Sequence, residues 1–245
     1  MKILVCISNV PDTTTKIVFT PDGKALNSTG VTFIINPYDE FGLVRALEFQ
    51  EQGKAQSVTV ISVGEKDIEP TLRKALAIGA NDAVRIDAKP TDAYFVAKQI
   101  AEYAKDKGFD LIFTGKESID YNGCMVPGMI AEMMNLPFVS FATKMEINGD
   151  KAVLNREIDG GEEGIESPFP LVVSCQKGMA EWRIPNMRGI MASRTKPLAV
   201  VAPTADSAGV TTTGFTYPAA KGNCSYFGTD EVQGLANALH NKGLV

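Results

Sequence analysis

Short apolar runs alternate with amphipathic helical patterns over residues 1–135, and this alternation is the feature that most constrains the fold. The runs are rich in β-branched residues, as expected for strands covered on both faces. The pattern predicts the α/β class, with a doubly wound, mainly parallel, Rossmann-like sheet and right-handed crossovers. The predicted strands are Ile3–Ile7, Ser57–Val63, Ala83–Ile86 and Leu111–Thr114, and the predicted helices run from Asp39 to Gln52, through Ile68–Leu76 to Gly79, and from Asp92 to Gly108.

The pattern changes after residue 137, where strand-like segments come in direct succession. Ala142–Ile147 and Lys151–Ile158 flank Asn148-Gly149, a two-residue hairpin signal because both central positions of a type I′ turn need a positive φ. We therefore expect an antiparallel extension of the sheet. Leu171–Cys175 has the character of a further buried strand.

The C-terminal part shows no regular pattern until its end. Residues 176–196, the recognition segment, mix arginines, methionines and Trp182 and are predicted to form a loop. Residues 197–228 are rich in alanine, threonine, glycine and proline, and Thr229 is the predicted N-cap of a last amphipathic helix. We expect a nucleotide-binding domain at residues 1–196 and a C-terminal arm at residues 197–245 that docks on a partner.

Charge and composition exclude several classes of function. With 24 basic and 29 acidic residues the net charge is −5, which offers no field to attract nucleic acid. No apolar stretch approaches the roughly 20 residues that span a bilayer, and the N-terminus lacks a signal-peptide pattern, so a cytoplasmic protein without membrane insertion is expected. Four dispersed cysteines and one histidine favour neither a metal site nor a catalytic triad.

A ligand of an open parallel sheet binds at the carboxyl ends of the strands, near the point where the strand order reverses. Four segments are predicted to reach that edge: Cys6–Asn9, Asn36–Asp39, Val63–Glu65 and Gly115–Gly123. The last segment opens a helix whose free N–H groups suit a phosphate, although its glycines also fit simple turns. Neither a P-loop nor a GxGxxG fingerprint is present.

Four blocks of residues, in order along the chain, resemble the motifs of electron transfer flavoprotein beta subunits. The blocks are Asn36–Glu40, Ala75–Ala80, Gly115–Asp120 and Arg156–Gly161. The resemblance implies a pseudo-Rossmann sheet that holds AMP structurally, while an alpha subunit supplies most of the site for FAD. Such a subunit has no catalytic residues and performs no bond chemistry of its own. The family carries electrons from acyl-CoA and related dehydrogenases to a quinone oxidoreductase.

The resemblance also assigns individual residues. Tyr38 takes the place of an aromatic at the dimethylbenzene edge of the flavin, with ordinary interface or core packing as the alternative. Met187 stands where the family has a leucine that anchors in a dehydrogenase pocket, with a core methionine as the alternative. The implied cofactor-binding residues are Cys6, Asn36, Pro37, Tyr38, Asp39, Val63, Gly115, Asp120, Asn122, Gly123, Cys124, Met125 and Val126, and the implied partner-recognition residues are Met187, Arg183, Arg188 and Ile190.

Two alternatives remain open. The segment Cys124–Gly128 replaces the family's usual Asn-Gln-Thr-Gly-Gln, and electron-bifurcating relatives, which hold a second FAD in place of AMP and oxidise NADH, tend to share Val126. Against this, Ile158–Gly161 resembles the AMP-type branch better. The second alternative is a nucleotide-sensing stress-type protein of the same sheet class, a reading that the C-terminal arm disfavours.

Overall fold

The computed structural model describes residues 1–206 and 208–245 as an α/β fold built on a nine-stranded, mostly parallel sheet. The predicted fold class is therefore confirmed. The strands are β1 (Lys2–Cys6), β2 (Asn9–Pro11), β3 (Phe33–Ile35), β4 (Ser57–Val63), β5 (Asp82–Ile86), β6 (Leu111–Gly115), β7 (Phe138–Asn148), β8 (Lys151–Ile158), β9 (Gly161–Pro168), β10 (Leu171–Cys175) and β11 (Leu198–Val201).

Most of the helices lie where the sequence predicts them, and local signals define several of their ends. Asp92 caps its helix because its side chain accepts a hydrogen bond from the Phe95 N–H at 2.8 Å. Asn135 ends another helix in the left-handed conformation. The helices are α1 (Pro37–Glu51), α2 (Glu69–Ile78), α3 (Ala93–Ala104), α4 (Val126–Met134), α5 (Met187–Ser193) and α6 (Val232–Asn241), with a short 3₁₀ turn at Lys66–Ile68.

The strand order of the main sheet, β11-β5-β4-β1-β6-β10-β7-β8-β9, reverses around β1. From β1 the chain builds outward to β4 and β5, then crosses back to β6 on the other side. All pairings from β11 to β7 are parallel, whereas β7, β8 and β9 are antiparallel. The switch point therefore lies at the carboxyl ends of β1 and β6.

Two apolar layers cover the two faces of the sheet. Ile3 and Val5 of β1 pack in one layer with α1 and α2, and Leu4 and Cys6 pack in the other with α3 and α4. This alternation follows from the two-residue period of a strand. No helix in the described part of the chain is long and apolar enough to cross a membrane.

The hairpin turn lies one residue later than the sequence predicts. Asn148 pairs with Lys151, so the two-residue connection is Gly149-Asp150. Of these two residues only Gly149 has a positive φ, +61°. Glycine at the first central position is typical of a type II′ turn, so the prediction of a type I′ turn at Asn148-Gly149 is wrong, although the antiparallel extension is confirmed.

Three other predictions in the C-terminal part need correction. The recognition segment is not all loop, because α5 begins at Met187, with the Asn186 side chain accepting from the Gly189 N–H at 2.8 Å. The first residues of the C-terminal arm form β11, which pairs in parallel with β5 at the edge of the main sheet. Thr229 does not cap the last helix, since Glu231 occupies the N-cap position.

Two basic side chains hold α5 against α2. Lys196, just after α5, caps the C-terminus of α2, and Arg73 of α2 caps the C-terminus of α5. The Lys196 ammonium donates to the carbonyl oxygens of Leu76, Gly79 and Ala80, at 2.9, 3.1 and 2.6 Å. The Arg73 guanidinium of α2 donates to the carbonyls of Ser193 and Lys196, both at 2.7 Å. A cation at a helix C-terminus also interacts favourably with the helix dipole. The recognition segment is thereby fixed to the sheet domain at its C-terminal end.

Replacing Lys196 with methionine is expected to destabilise the fold. The variant removes charge-assisted hydrogen bonds and leaves three carbonyls at the end of α2 without their donor, at a cost of about 1.5–3 kcal/mol. Chemical denaturation gives the unfolding free energy. Lys177→Met is the control, because Lys177 is an exposed lysine in the same region. Equal losses in the two variants would contradict a capping role.

Candidate functional site

A single buried carboxylate ties together the two strand ends at the switch point. Asp39, in the first turn of α1, exposes only 3% of its surface. One carboxylate oxygen accepts the Ser8 N–H just beyond β1, and the other accepts the Gly115 N–H at the end of β6, both at 2.7 Å. Asp39 therefore sets the spacing between β1, β6 and the start of α1.

Asn36 holds the loop that follows β6. It is fully buried at the N-cap position of α1, ahead of Pro37. Its side-chain nitrogen donates to the Glu117 carbonyl at 2.8 Å, and its side-chain oxygen accepts the Ile119 N–H at 3.3 Å. An asparagine that would ordinarily cap its own helix is thus used to position the loop. The sequence predicts that Asn36 lies at this edge of the sheet, but it does not indicate Glu117 and Ile119 as the hydrogen-bond partners.

Gly115 permits this close approach of loop, helix and strand. A Cβ atom placed there would overlap the Asp39 carboxylate and would lie 2.7 Å from the Tyr38 Cβ and 2.9 Å from the Asn36 Nδ2. Since such contacts are far shorter than van der Waals distances, only glycine fits without displacement. The predicted site residues Asn36, Tyr38 and Asp39, at the start of α1, therefore surround the end of β6.

The rest of the loop after β6, residues 115–126, is called the nucleotide loop after its predicted ligand, and it folds into a tight turn that leads into α4. Ser118 donates its N–H to the Gly123 carbonyl at 3.0 Å, and Asn122 has a φ of +49°. Met125, the N-cap residue of α4, makes no side-chain cap bond within the described chain. The N–H groups of the first turn of α4 consequently keep their capacity to bind an anion.

Cys6 and Val63 lie at the same edge but on the face of the sheet away from α1, in the apolar layer under α3 and α4. Burial, and secondarily the Asp39 charge, raises the pKa of the Cys6 thiol well above its ordinary range. Cys6 is therefore not a thiolate nucleophile, and its contact with a cofactor stays a prediction. Of the remaining predicted residues, Asp120, Asn122, Cys124 and Met125 are exposed in the nucleotide loop, and Val126 is half-buried at the start of α4.

The C-terminal arm crosses back over its own chain and contacts the nucleotide loop. Phe215 stacks on Phe19 at 5.2 Å between ring centroids and lies 6.5 Å from the Tyr121 ring. The Phe215 N–H also donates to the Gly23 carbonyl at 2.7 Å. Closer to its start, the arm is held by Asp92, whose carboxylate accepts the Val210 N–H at 2.8 Å.

The recognition segment presents a row of exposed apolar side chains. Met187 is 73% exposed and Trp182 63% exposed, so Met187 is not a core residue. Arg188 and Ile190 are also exposed. The Arg183 guanidinium instead donates two hydrogen bonds to the Glu51 carboxylate of α1, at 2.6 and 3.0 Å. The role of Arg183 toward a partner stays a prediction.

No group of His, Cys, Asp and Glu that could hold a metal ion occurs among residues 1–206 and 208–245. Two surface cavities, of about 320 and 440 Å³, lie elsewhere, and neither is lined by a predicted cofactor-binding residue. The first lies between α3 and the start of the arm, and the second beside residues 12–16 and 29–32.

The Asp39 carboxyl is expected to make stability depend on pH. Burial raises its pKa from 3.8 to about 7, although the two backbone donors act in the opposite direction. Because the folded-state pKa exceeds the unfolded one, the folded state binds more protons between these values, and stability falls as the pH rises from about 4 to about 7. The slope approaches about 1.4 kcal/mol per pH unit.

Asp39→Asn removes this dependence and provides the test. Unfolding free energies of the two proteins are measured by denaturation between pH 4 and 8. The stability of the Asp39 protein relative to the Asn variant should fall as the pH rises from about 4 to about 7. Burial raises the pKa of the neighbouring Cys6 and Cys175 thiols, so these groups do not titrate there. Glu40, whose pKa burial also raises, is common to both proteins. Parallel stability curves would show that Asp39 stays ionised.

Comparison with known proteins agrees with this architecture. Residues 24–206 match the family model of the electron transfer flavoprotein domain, which is more than half of the chain. The chain is 36% identical over 222 residues to the electron transfer flavoprotein subunit beta of Syntrophomonas wolfei, covering 90% of this chain and 87% of that protein.

Similar relatives occur in other bacteria and in plants. The beta subunit of Bacillus subtilis is 37% identical over 202 residues, or 81% of this chain and 77% of that protein. The mitochondrial beta subunit of Oryza sativa subsp. japonica is 32% identical over 208 residues, or 83% and 82% of the two chains. The chain therefore belongs to the family of electron transfer flavoprotein beta subunits.

Proposed function

We propose that this beta subunit binds AMP at the switch point and, with an alpha subunit, holds an FAD that carries electrons from acyl-CoA and related dehydrogenases to a quinone oxidoreductase. The observation that carries the proposal is the Asp39 bridge between the ends of β1 and β6. It builds a rigid, glycine-lined edge beside a helix N-terminus where a nucleotide phosphate is well accommodated. A cytoplasmic location stays a prediction from the sequence.

The chemistry of the edge suits a monophosphate. The donors are backbone N–H groups of the nucleotide loop and of the first turn of α4, and such groups bind anions without side-chain charge. Pro127 removes one N–H from that turn. The segment Cys124–Met125 offers neither a hydroxyl nor an amide in place of it. We therefore expect AMP to be held, but less tightly than in relatives with more donors, each lost hydrogen bond costing about 0.5–1.5 kcal/mol.

The alpha subunit supplies what this chain lacks. Tyr38 is half-buried at the same edge and offers a ring for the flavin. The C-terminal arm is the segment proposed to dock on the alpha subunit. Its last helix, α6, buries none of its residues within the described chain. FAD supplies the redox chemistry when bound. The residues of this chain position cofactors and partners and perform no bond chemistry.

Nucleotide analysis tests the proposal directly. Co-expression with the alpha subunit should give a yellow 1:1 heterodimer, whereas the beta subunit alone should be colourless. Denaturation followed by chromatography should release one AMP and one FAD per heterodimer. Two FAD and no AMP would replace the proposal by the electron-bifurcating alternative, and no FAD would refute both.

Glycine variants locate the AMP. Gly115→Ala should lower the AMP content, because the new methyl group overlaps Asp39 and Tyr38. Gly164→Ala is the matched control, since a Cβ there meets nothing within 4 Å and its φ lies outside the left-handed region. AMP content that is unchanged in both variants would place the nucleotide elsewhere.

Met187→Ala should slow electron transfer from dehydrogenases while FAD content and melting temperature stay nearly constant. The side chain is exposed, and truncation of an interface anchor costs about 1–2 kcal/mol of binding or more. Met145→Ala is the contrast, because Met145 is fully buried and its truncation should cost about 2–5 kcal/mol of stability. A melting temperature that falls equally in both variants, with normal transfer in Met187→Ala, would make Met187 a packing residue.

A further inference from the structure

Phe141 has a backbone conformation that bulky residues rarely adopt. It lies in β7 with a φ of +52°, between Val139 and Ala142, where the pairing of β7 with β10 shifts register. The pairing of β7 with β8 shifts just after it, between Ala142 and Lys144. The Phe141 N–H leaves the ladder and donates to the buried Ser174 hydroxyl at 3.1 Å. A left-handed aromatic residue is strained and persists only where the surroundings impose it. Such bulges re-aim a side chain next to functional sites.

The re-aimed ring meets a lysine that is largely withdrawn from solvent. The Lys116 ammonium lies 4.9 Å from the Tyr38 ring centroid and 5.8 Å from the Phe141 ring centroid, both within cation–π range. The Lys116 side chain is 18% exposed, so it is not an ordinary solvated surface lysine. Lys116 directly follows Gly115, so the cluster stands at the same strand edge as the Asp39 bridge.

Folding alone does not account for this arrangement. The strained residue is partly exposed and is no part of the buried core. The cation is matched by only one nearby carboxylate among the described residues, that of Glu117 at 3.8 Å, which is a long ion pair. Aromatic rings stack on a planar ring system, and an ammonium held out of water beside them stabilises negative charge that develops on that system. Reduced flavin is a ring of that kind.

We propose that Phe141 and Lys116, together with Tyr38, form an aromatic and cationic face against the flavin ring, and that the Lys116 charge raises the reduction potential of the flavin. The inference rests on the proposed function, in which the heterodimer holds FAD. The Lys116 ammonium and the Glu117 carboxylate act through space and exchange neither protons nor electrons with the ring.

The two charges predict shifts of opposite sign. Lys116→Met removes the cation and leaves Glu117 unopposed, so reduction becomes harder and the midpoint potential falls. Glu117→Gln removes the opposing charge, and the potential rises. A tenfold change in the equilibrium between oxidised and reduced flavin corresponds to 59 mV for a one-electron couple. We expect about this shift for Lys116→Met and a smaller one for Glu117→Gln.

The experiment is a spectroscopic redox titration of the purified heterodimer. Lys144→Met is the matched control, because it removes the same charge from an exposed site three residues after Phe141 in the same strand. Lys116→Arg should keep a potential close to that of the unchanged protein. Equal potentials in Lys116→Met and Lys144→Met, or shifts of the same sign for Lys116→Met and Glu117→Gln, would overturn the inference. A heterodimer without FAD would instead refute the proposed function.

Phe141→Gly separates ligand binding from folding. Glycine adopts a φ of +52° without strain, so the melting temperature of the heterodimer freed of flavin should stay constant or rise. Flavin affinity, measured by fluorescence on reconstitution, should fall by about tenfold through loss of the ring. A lower melting temperature with unchanged affinity would show that Phe141 serves packing alone.

Discussion

The Asp39 carboxylate is the interaction on which the rest of the site depends. It is buried at the switch point, where loss of hydration would favour the neutral acid, yet two backbone N–H groups from separate strand ends point at it. This balance is what brings its pKa to about 7. Gly115 is required because the carboxylate approaches so closely, and Asn36 extends the same contact into the nucleotide loop. Sheet, helix and loop are therefore positioned by adjacent residues of one helix start.

Much of the fold could be predicted because its signals are local. The strands β1, β4, β6 and β10 are apolar runs, and Asp92 caps α3 as its neighbours in sequence indicate. The failures lie where tertiary contacts decide. The seven residues of α5 are too few for a helix that is stable by itself, and they are held by Arg73 and by the close packing of Gly189 on α2. The strand β11 exists because β5 offers an open edge.

The position of the candidate site could be predicted from the sequence, but the contacts that hold its residues in place could not. The rule for parallel sheets places Asn36 and Gly115 at one edge, and the structure brings them together. The partners of these residues are distant in sequence, such as Ser8 for Asp39 and Ile119 for Asn36, and no periodic pattern encodes them. The strain at Phe141 is equally invisible in the sequence, because it arises where β7 shifts register against β10, a strand that is distant along the chain.

The recognition segment combines an exposed surface with a fixed backbone. Met187 begins α5, whose N-terminus is capped by Asn186 and whose C-terminus is held by Arg73. Arg183, upstream, is clamped by Glu51. A flexible loop would lose conformational freedom each time it bound a partner, and that loss reduces affinity. Here folding has already ordered the backbone, so only the methionine side chain remains to be fixed. Its flexible thioether can adapt to differently shaped pockets, which suits a carrier proposed to serve several dehydrogenases.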